Sequence, residues 1–436
     1  MEKQILPILS RMAAAATIGW LWEYGHWGAM LSILLIPLVI MGRGKLDRYG
    51  VALAYYLAGS HGIPGGAVVF FGHGHLIEGI FLWLTSSALL AAGWAFADRP
   101  WRVVAVLVID ALPPLGFFDW LSPLAGAGAM FPGLGWLGLL LYLVVAGLAA
   151  GFTRWLMTNY KDAWDVGLLD VILIPSGVLA LLVAANIAYN PSPIPAGWVG
   201  IGQSVGPVTP NMMGDVARNQ QWIAHAETLA GCNPVVSHGS TATKVALLPE
   251  GMMTWWAGNA DEVKNAVPKG QIWLVGASVP VGPALMADGI EAVRDGGGRE
   301  KKGSGDGGGT SRGITSRFIH NHGARLLFIS PFPVPVSMWH PWHQGHGYVR
   351  ADGVGFEAGW WEPVRKIDGI RAWASICYDQ LLPWVWMEGV IQSPQVVLAT
   401  NNEWWAKGSG IPRIQKATAW AWARLMGVPV VEAENG

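Results

Sequence analysis

The chain holds 436 residues, 52% of them hydrophobic and only 13% charged, with 58 Gly, 28 Pro and 26 Trp. Ordinary soluble domains carry about 25% charged residues, so the composition argues against a wholly soluble protein, and this much apolar surface rules out disorder for most of the chain. The length exceeds one compact domain, the net charge of −1 gives no electrostatic ground for a nucleic-acid partner, and two cysteines, Cys232 and Cys377, allow at most one bridge.

From residue 9 to 189 the chain is a series of apolar stretches broken by short polar or Gly- and Pro-rich loops. Stretches near the length that crosses a bilayer fall at 8–23, 26–42, 50–71, 77–97, 103–120, 134–153 and 168–189, which predicts seven transmembrane helices. The first two are joined only by the residues around Glu23 to His26, as in a helical hairpin. Because the pattern repeats over so long a span, a cleaved signal peptide does not account for it. Lys3, Arg11, Arg43, Lys45, Arg48, Arg99, Arg102, Arg154 and Lys161 cluster at alternate connections. The loops around Tyr24, from His73 to Glu78 and from Asp119 to Gly133 carry no Lys or Arg. This bias predicts a cytoplasmic amino terminus and, after seven spans, an extracytoplasmic remainder, which in a Gram-negative bacterium is periplasmic. Trp22, Trp27, Trp94, Trp101, Trp120 and Trp155 sit near segment ends, where an amphipathic ring suits the headgroup layer. His73, His75 and Glu78 lack a metal-ligand pattern and read as an interfacial polar loop, so no metal is expected.

Residues 190–197, which begin Asn-Pro-Ser-Pro-Ile-Pro, read as a stiff linker, and a second domain of 198–436 follows. Strands are predicted at Trp198 to Val205, Val245 to Leu248, Gln271 to Ser278, Ala372 to Ile376 and Val396 to Thr400, with helices at 211–230 and about 412–427. Strands alternating with helices imply a layered α/β domain. Three strand ends carry chemistry: Pro249-Glu250-Gly251 ends one with a carboxylate, Cys377-Tyr378-Asp379 another with a thiol, and Asn401-Asn402-Glu403-Trp404-Trp405 a third with two amides and an aromatic pair. A Cys between strand and helix can feel the positive field of the helix N-terminus, which favours thiolate. A carboxylate nearby can take its proton and arm it against a carbonyl carbon. Alone, a buried Cys is more often inert packing; the joint occurrence of these strand ends favours function. Cys232, in Ala-Gly-Cys-Asn-Pro, has no carboxylate motif beside it and reads as structural.

The order Pro249-Glu250, then Pro-Val-Pro-Val-Ser-Met at 333–338, then Ile376-Cys377-Tyr378-Asp379, then Asn401-Asn402-Glu403-Trp404 resembles the nitrilase, or carbon–nitrogen hydrolase, superfamily. The multi-span first half makes the chain similar to the apolipoprotein N-acyltransferase branch. Pro-Val-Pro-Val-Ser-Met-Trp and Cys-Tyr-Asp-Gln resemble the TraB proteins of conjugative plasmids more closely. The similarity is clear across 245–431 and weak in the apolar half. It implies a multi-span α-helical membrane domain followed by an α/β nitrilase-like αββα sandwich. It also implies a Glu-Lys-Cys triad in which Glu250 is the base and Cys377 the nucleophile, supported by Asp379, Asn401, Asn402 and Trp404. The resemblance calls for no cofactor. Its substrate would be an acyl donor or amide, periplasmic or lipid-linked; its setting would be the bacterial inner membrane, and its partner the conjugation machinery.

The chain departs from the superfamily pattern at the Lys, whose position is occupied by Ser330, and at an acidic position of the acyltransferase branch, where Met338 falls. Of the basic residues in this half, Arg325, Lys366 and Lys301 are not in the right context. Loss of one oxyanion donor costs about two to three orders of magnitude in rate. The acyltransferases also end in a further membrane span, whereas this sequence stops soon after Val431. Between 294 and 330 the strand pattern lapses: residues 294–313 hold nine Gly and eight charged residues. Two readings of this stretch stand side by side, a flexible solvated insertion and a local reading-frame error in the gene sequence that also removed the Lys.

Two functions compete. One is an inner-membrane thioester enzyme, an amidase or N-acyltransferase, with Trp255, Trp256, Trp360, Trp361, Trp404 and Trp405 at its pocket mouth or, alternatively, in plain packing. The other is a catalytically impaired nitrilase-fold platform in a conjugation apparatus. A transporter has little support, since Asp110 is the clearest charge within the spans and no pair of broken helices stands out.

Overall fold

A computed structural model describes residues 2–159, 168–207, 212–231, 242–254, 256–282, 285–295, 324–335, 337–339 and 355–436. Cys232, Trp255 and most of the Gly-rich stretch lie outside the described residues. The chain divides into two compact units, one of Met1–Pro193, Gln380–Gln395 and Trp405–Val430, the other of Ile194–Asp379, Val396–Trp404 and Val431–Gly436.

The first unit is helical. Three of its helical stretches, Ile5–Glu23, Leu76–Trp94 and Gly135–Asn159, are long and apolar enough to cross a membrane. At about 1.5 Å per residue, 19 residues reach roughly 28 Å, close to the hydrocarbon thickness. A single helix also occupies Leu168–Ala188. The other three expected spans are broken, each at a residue that the helix cannot accommodate. The 26–42 stretch divides into Trp27–Leu31, a 3₁₀ turn at Ser32–Leu34 and Leu35–Ile40; Pro37 has no amide to bond the Ile33 carbonyl. The 50–71 stretch falls into Lys45–Gly59 and Ile63–Phe71, the second opened by Pro64 in its first turn. Pro100–Ala111 stops short of Pro113 and Pro114, and a 3₁₀ turn at Leu115–Phe117 follows.

Close approach and one polar chain hold this unit together. A Cβ on Gly19 would run into the Tyr55 carbonyl, so only glycine lets Glu2–Trp20 cross Lys45–Gly59 at this distance. At the same crossing the Trp22 indole donates to the Tyr55 hydroxyl at 2.8 Å, and that hydroxyl donates to the Leu121 carbonyl at 2.7 Å, both in buried surroundings.

Residues 380–395 and 405–430, read from sequence as part of the second domain, group with this unit. The reason lies in the helix Ile411–Met426, which buries Ala417, Ala419, Ala421, Trp422 and Leu425. Trp420 stacks on His26 with ring centroids 3.9 Å apart. The Arg424 guanidinium donates to Asn186 at 2.6 Å and lies 4.5 Å from the Tyr189 ring centroid. Trp386, on the helix Pro383–Gln392, lies parallel to Trp422 at 6.5 Å.

Among the described residues the second unit has ten strands: β1 (Trp198–Gly200), β2 (Val245–Leu247), β3 (Ile272–Gly282), β4 (Leu285–Arg294), β5 (Ala324–Ile329), β6 (Gly355–Glu357), β7 (Arg365–Ile367), β8 (Ile370–Ile376), β9 (Val396–Asn402) and β10 (Val430–Asn435). One sheet runs β1-β2-β3-β4-β5 with β6 also on β4, and the other runs β10-β9-β8-β7. The β1/β2, β2/β3 and β8/β9 pairs are parallel, and β3/β4, β4/β5 and β7/β8 are antiparallel. Alternation builds the layers. Trp273, Val275 and Ala277 face the helices Met212–Gly231 and Trp256–Ala266, where Trp222, Ile223, Ala260 and Val263 meet them. Leu274, Ile290 and Phe328 face Ala374, Ile376, Val396 and Leu398 of the other sheet. This unit is therefore a helix layer and two sheets. The helices that follow β8 and β9, which the αββα expectation would make a fourth layer, belong to the first unit. Sequence pattern missed β4 to β7 and β10; β5 lies within the stretch read as irregular.

Two outcomes test these packing arguments. Tyr55→Phe strands the Trp22 indole and the Leu121 carbonyl, and is expected to lower stability by about 1–3 kcal/mol in denaturant unfolding. Gly276→Ala on β3 would drive a Cβ into the Pro249 carbonyl and the Glu250 Cα. The expected loss is about 1–3 kcal/mol, with a lowered thermal midpoint; an unchanged midpoint would contradict the close approach.

Candidate functional site

Three strand ends of the second unit converge. Three residues after β2, Glu250 lies where Gly276 of β3 leaves room for its backbone. The β2 extension is tied to β9 by the Thr400 hydroxyl, which donates to the Leu248 carbonyl at 3.1 Å. β9 then carries the Asn402 amide to the Glu250 carboxyl, a 3.0 Å bond to Oε2. Asn402 is itself oriented by Asn435, whose side-chain amide donates to its Oδ1 at 2.9 Å.

Cys377 follows β8 directly and opens a 3₁₀ turn, Cys377–Leu381. Its φ of +48° lies in the left-handed region, which costs a non-glycine residue about 1–3 kcal/mol and is found where surrounding structure over-determines it. The thiol is 8% exposed and hydrogen-bonded to the Glu250 carboxyl, with the Asn402 amide also against its sulfur.

Two further carboxyls complete the cluster. Asp379, two residues beyond the thiol, accepts the Phe332 amide at 3.0 Å on Oδ1 and lies against the Ser330 hydroxyl. Asp288 of β4 is hydrogen-bonded through its side chain to Glu250. Ser330, the residue in the expected Lys position, ends β5 and donates its amide to the Asp288 carbonyl at 2.8 Å. The place where an ammonium was expected therefore adjoins the cluster and holds a hydroxyl.

The electrostatics follow from burial. Burial pushes Glu250 up to about 7, against the opposing hydrogen bonds from Cys377, Asn402 and Asp288. Asp379 is likewise raised to about 7 by burial, partly offset by Ser330 and the Phe332 and Ile376 amides. Asp288 is held well above the usual carboxylate range by burial and then by the charges of Glu250 and Asp379. The Cys377 thiol is raised by burial and by Glu250 and Asp288. This corrects the expectation of a thiolate favoured by a helix terminus. Cys377 opens a 3₁₀ turn rather than the helix, which begins at Pro383, and its nearest charges are acidic.

The other expected residues are dispersed. Asn401 donates to Glu403 at 3.2 Å. Trp404 is half-buried at the start of a 3₁₀ turn, and Trp405 belongs to the first unit, 5.4 Å from Phe70. Trp256 is core, packed in the helix layer rather than at a pocket mouth. Met338 bonds through its backbone to Val334 and Phe356. An aromatic group does adjoin the carboxyls: Phe332 has Trp339, Trp360 and Tyr378 at centroid distances of 4.9, 5.6 and 6.3 Å. Trp360 and Trp361 are each 47% exposed. Among the described residues no group of three His, Cys, Asp or Glu side chains is placed to hold a metal ion; His75 pairs with Glu78 at 3.6 Å. Asp288 escaped sequence reasoning, although a carboxylate within the apolar run Leu285 to Val293 is a signal that could have found it.

No protein-family model matches the chain. It is 27% identical over 444 residues to a protein of Sinorhizobium fredii named "Probable conjugal transfer protein TraB", an alignment that covers 100% of this chain and 98% of the relative. It is 28% identical over 459 residues to the "Conjugal transfer protein TraB" of Agrobacterium fabrum, with 99% and 92% covered. Both units, the apolar helices and the strand-end cluster alike, thus fall within an end-to-end similarity, at 27–28% identity, to proteins named for conjugal transfer.

Proposed function

We propose that the protein is a membrane-inserted component of a plasmid conjugation apparatus whose α/β unit attacks carbonyl carbon through Cys377. The conjugation role rests on the two relatives and their full-length coverage. The chemical role rests on one observation: the Glu250 carboxyl is hydrogen-bonded to the Cys377 thiol and receives the Asn402 amide in a buried site.

In the first step Glu250 takes the thiol proton as the sulfur bonds to the carbonyl carbon of an amide or ester. The tetrahedral intermediate collapses, the carbon–nitrogen or carbon–oxygen bond breaks, and the Glu250 carboxyl returns the proton to the departing amine or alcohol. A thioester remains on Cys377. Water or an amine then attacks it, loses a proton to Glu250, and releases the acyl product as the sulfur recovers that proton. Phe332, Trp339, Trp360 and Tyr378 offer an apolar flank for an acyl chain. The amino-terminal helices fit an inner-membrane anchor, and the distribution of Lys and Arg favours a periplasmic carboxyl-terminal unit and a periplasmic or lipid-linked substrate.

A second reading, a platform without turnover, is favoured by Ser330. The charges that act on Glu250, Asp288, Asp379 and Cys377 among the described residues are acidic, and an oxyanion forming there meets no ammonium.

Alkylation of Cys377 by a small neutral thiol reagent separates the two. For the enzyme, the rate rises with pH through about 7 as Glu250 loses its proton, and Glu250→Gln lowers it at least about tenfold. A slow rate indifferent to Glu250→Gln supports the platform. The location has its own test: an alkaline phosphatase fused at the carboxyl terminus is expected to be active, and an inactive but expressed fusion would place the second unit in the cytoplasm.

A further inference from the structure

Asp288 takes no part in the steps above, yet it is 3% exposed and its carboxyl contacts Glu250. Two carboxyl groups form a hydrogen bond only when one of them carries a proton. We propose that Asp288 is a positioning residue that acts as a neutral acid, donating its carboxyl hydrogen to Glu250 so that the Glu250 carboxylate stays charged, buried and turned to Cys377. This rests on the reading of Glu250 as base.

The geometry assigns the proton to Asp288. Its strand is fixed on both sides, by pairing of Asp288 with Ser278 of β3 and by the Ser330 amide on its carbonyl. Among the described residues its titratable neighbours are Glu250 from the β2 extension and Cys377 and Asp379 from the 3₁₀ turn, all acids. Glu250 has better compensation for a charge, because it also receives the Asn402 amide and the Cys377 thiol. With Asp288 donating as well, the Glu250 carboxylate has three donors. A carboxylate satisfied by several donors keeps its charge even when buried. The order of removal during reaction follows: Glu250 takes the thiol proton while Asp288 keeps its own.

The pH profile of Cys377 alkylation in the full-length protein tests this, with the Asn and Ala variants compared. Asp288→Asn retains a neutral donor of the same shape, and it is expected to alkylate near the wild-type rate with its rise at the same pH. Asp288→Ala removes the donor; its rate at pH 7 is expected to fall about ten- to hundredfold and its rise to move to higher pH. Equal defects in both variants would mean that an ionised Asp288 is required, and a wild-type profile in Asp288→Ala would mean that the contact is idle; either overturns the proposal. Should Asp288→Ala not fold, infrared difference spectra of wild type and Asp288→Asn decide. A carboxylic-acid carbonyl band that persists above neutral pH in wild type and is missing from Asp288→Asn is expected, and its absence from wild type overturns the assignment. Failure of the base reading is distinct, because then Glu250→Gln itself leaves alkylation unchanged.

Discussion

Glu250, Asp288 and Asp379 are buried in one cluster with the Cys377 thiol, and the charges that act on them among the described residues are one another's. A buried carboxylate without a counter-ion must be compensated by hydrogen-bond donors or must hold its proton. Here the donors include the Asn402 and Phe332 amides and the Cys377 thiol. Every one of them depends on the position of a strand end, so the site is only as well formed as the two sheets that carry it.

The sheets meet that demand by a few close fits. Gly276 has no side chain where the Glu250 backbone passes, and Thr400 ties β9 to the β2 extension. Asn435, on the last strand, turns Asn402. The left-handed turn at Cys377 stores strain that the neighbouring β8/β9 ladder offsets. Among the described residues, the groups around the thiol are carboxyls that burial pushes above their usual range.

The first unit solves a different problem. Its helices are apolar around most of their surface, and its internal order comes from close crossings such as Gly19 on Tyr55 and from a few buried polar links. It also takes in the helices that follow β8 and β9, so the chain passes between the units at 193, 379, 395, 404 and 430. Cys377 and Asn402 thus stand close in sequence to helices of the apolar unit. The same segments that end the site strands carry Trp386, Trp420 and Trp422 into that unit.

Local sequence was enough for much of this. Apolar runs marked the helices, short β-rich runs marked β1, β2, β3, β8 and β9, and the residues at strand ends named Glu250, Cys377, Asp379 and Asn402. Pro37, Pro64, Pro113 and Pro114 were visible as helix breaks, although run length alone read through them. What sequence could not supply was anything set by pairing across the sheets. Asp288 sits in a strand that gave no recognised pattern, and its partner Glu250 lies 38 positions away. The surroundings of the thiol depend on the same pairing, which brings Glu250 and Asp288 to it, whereas the helix begins only at Pro383. Composition and spacing by themselves determined which groups end the strands; only the tertiary structure decided which of them meet, because that depends on burial and on contacts between strands distant in the chain.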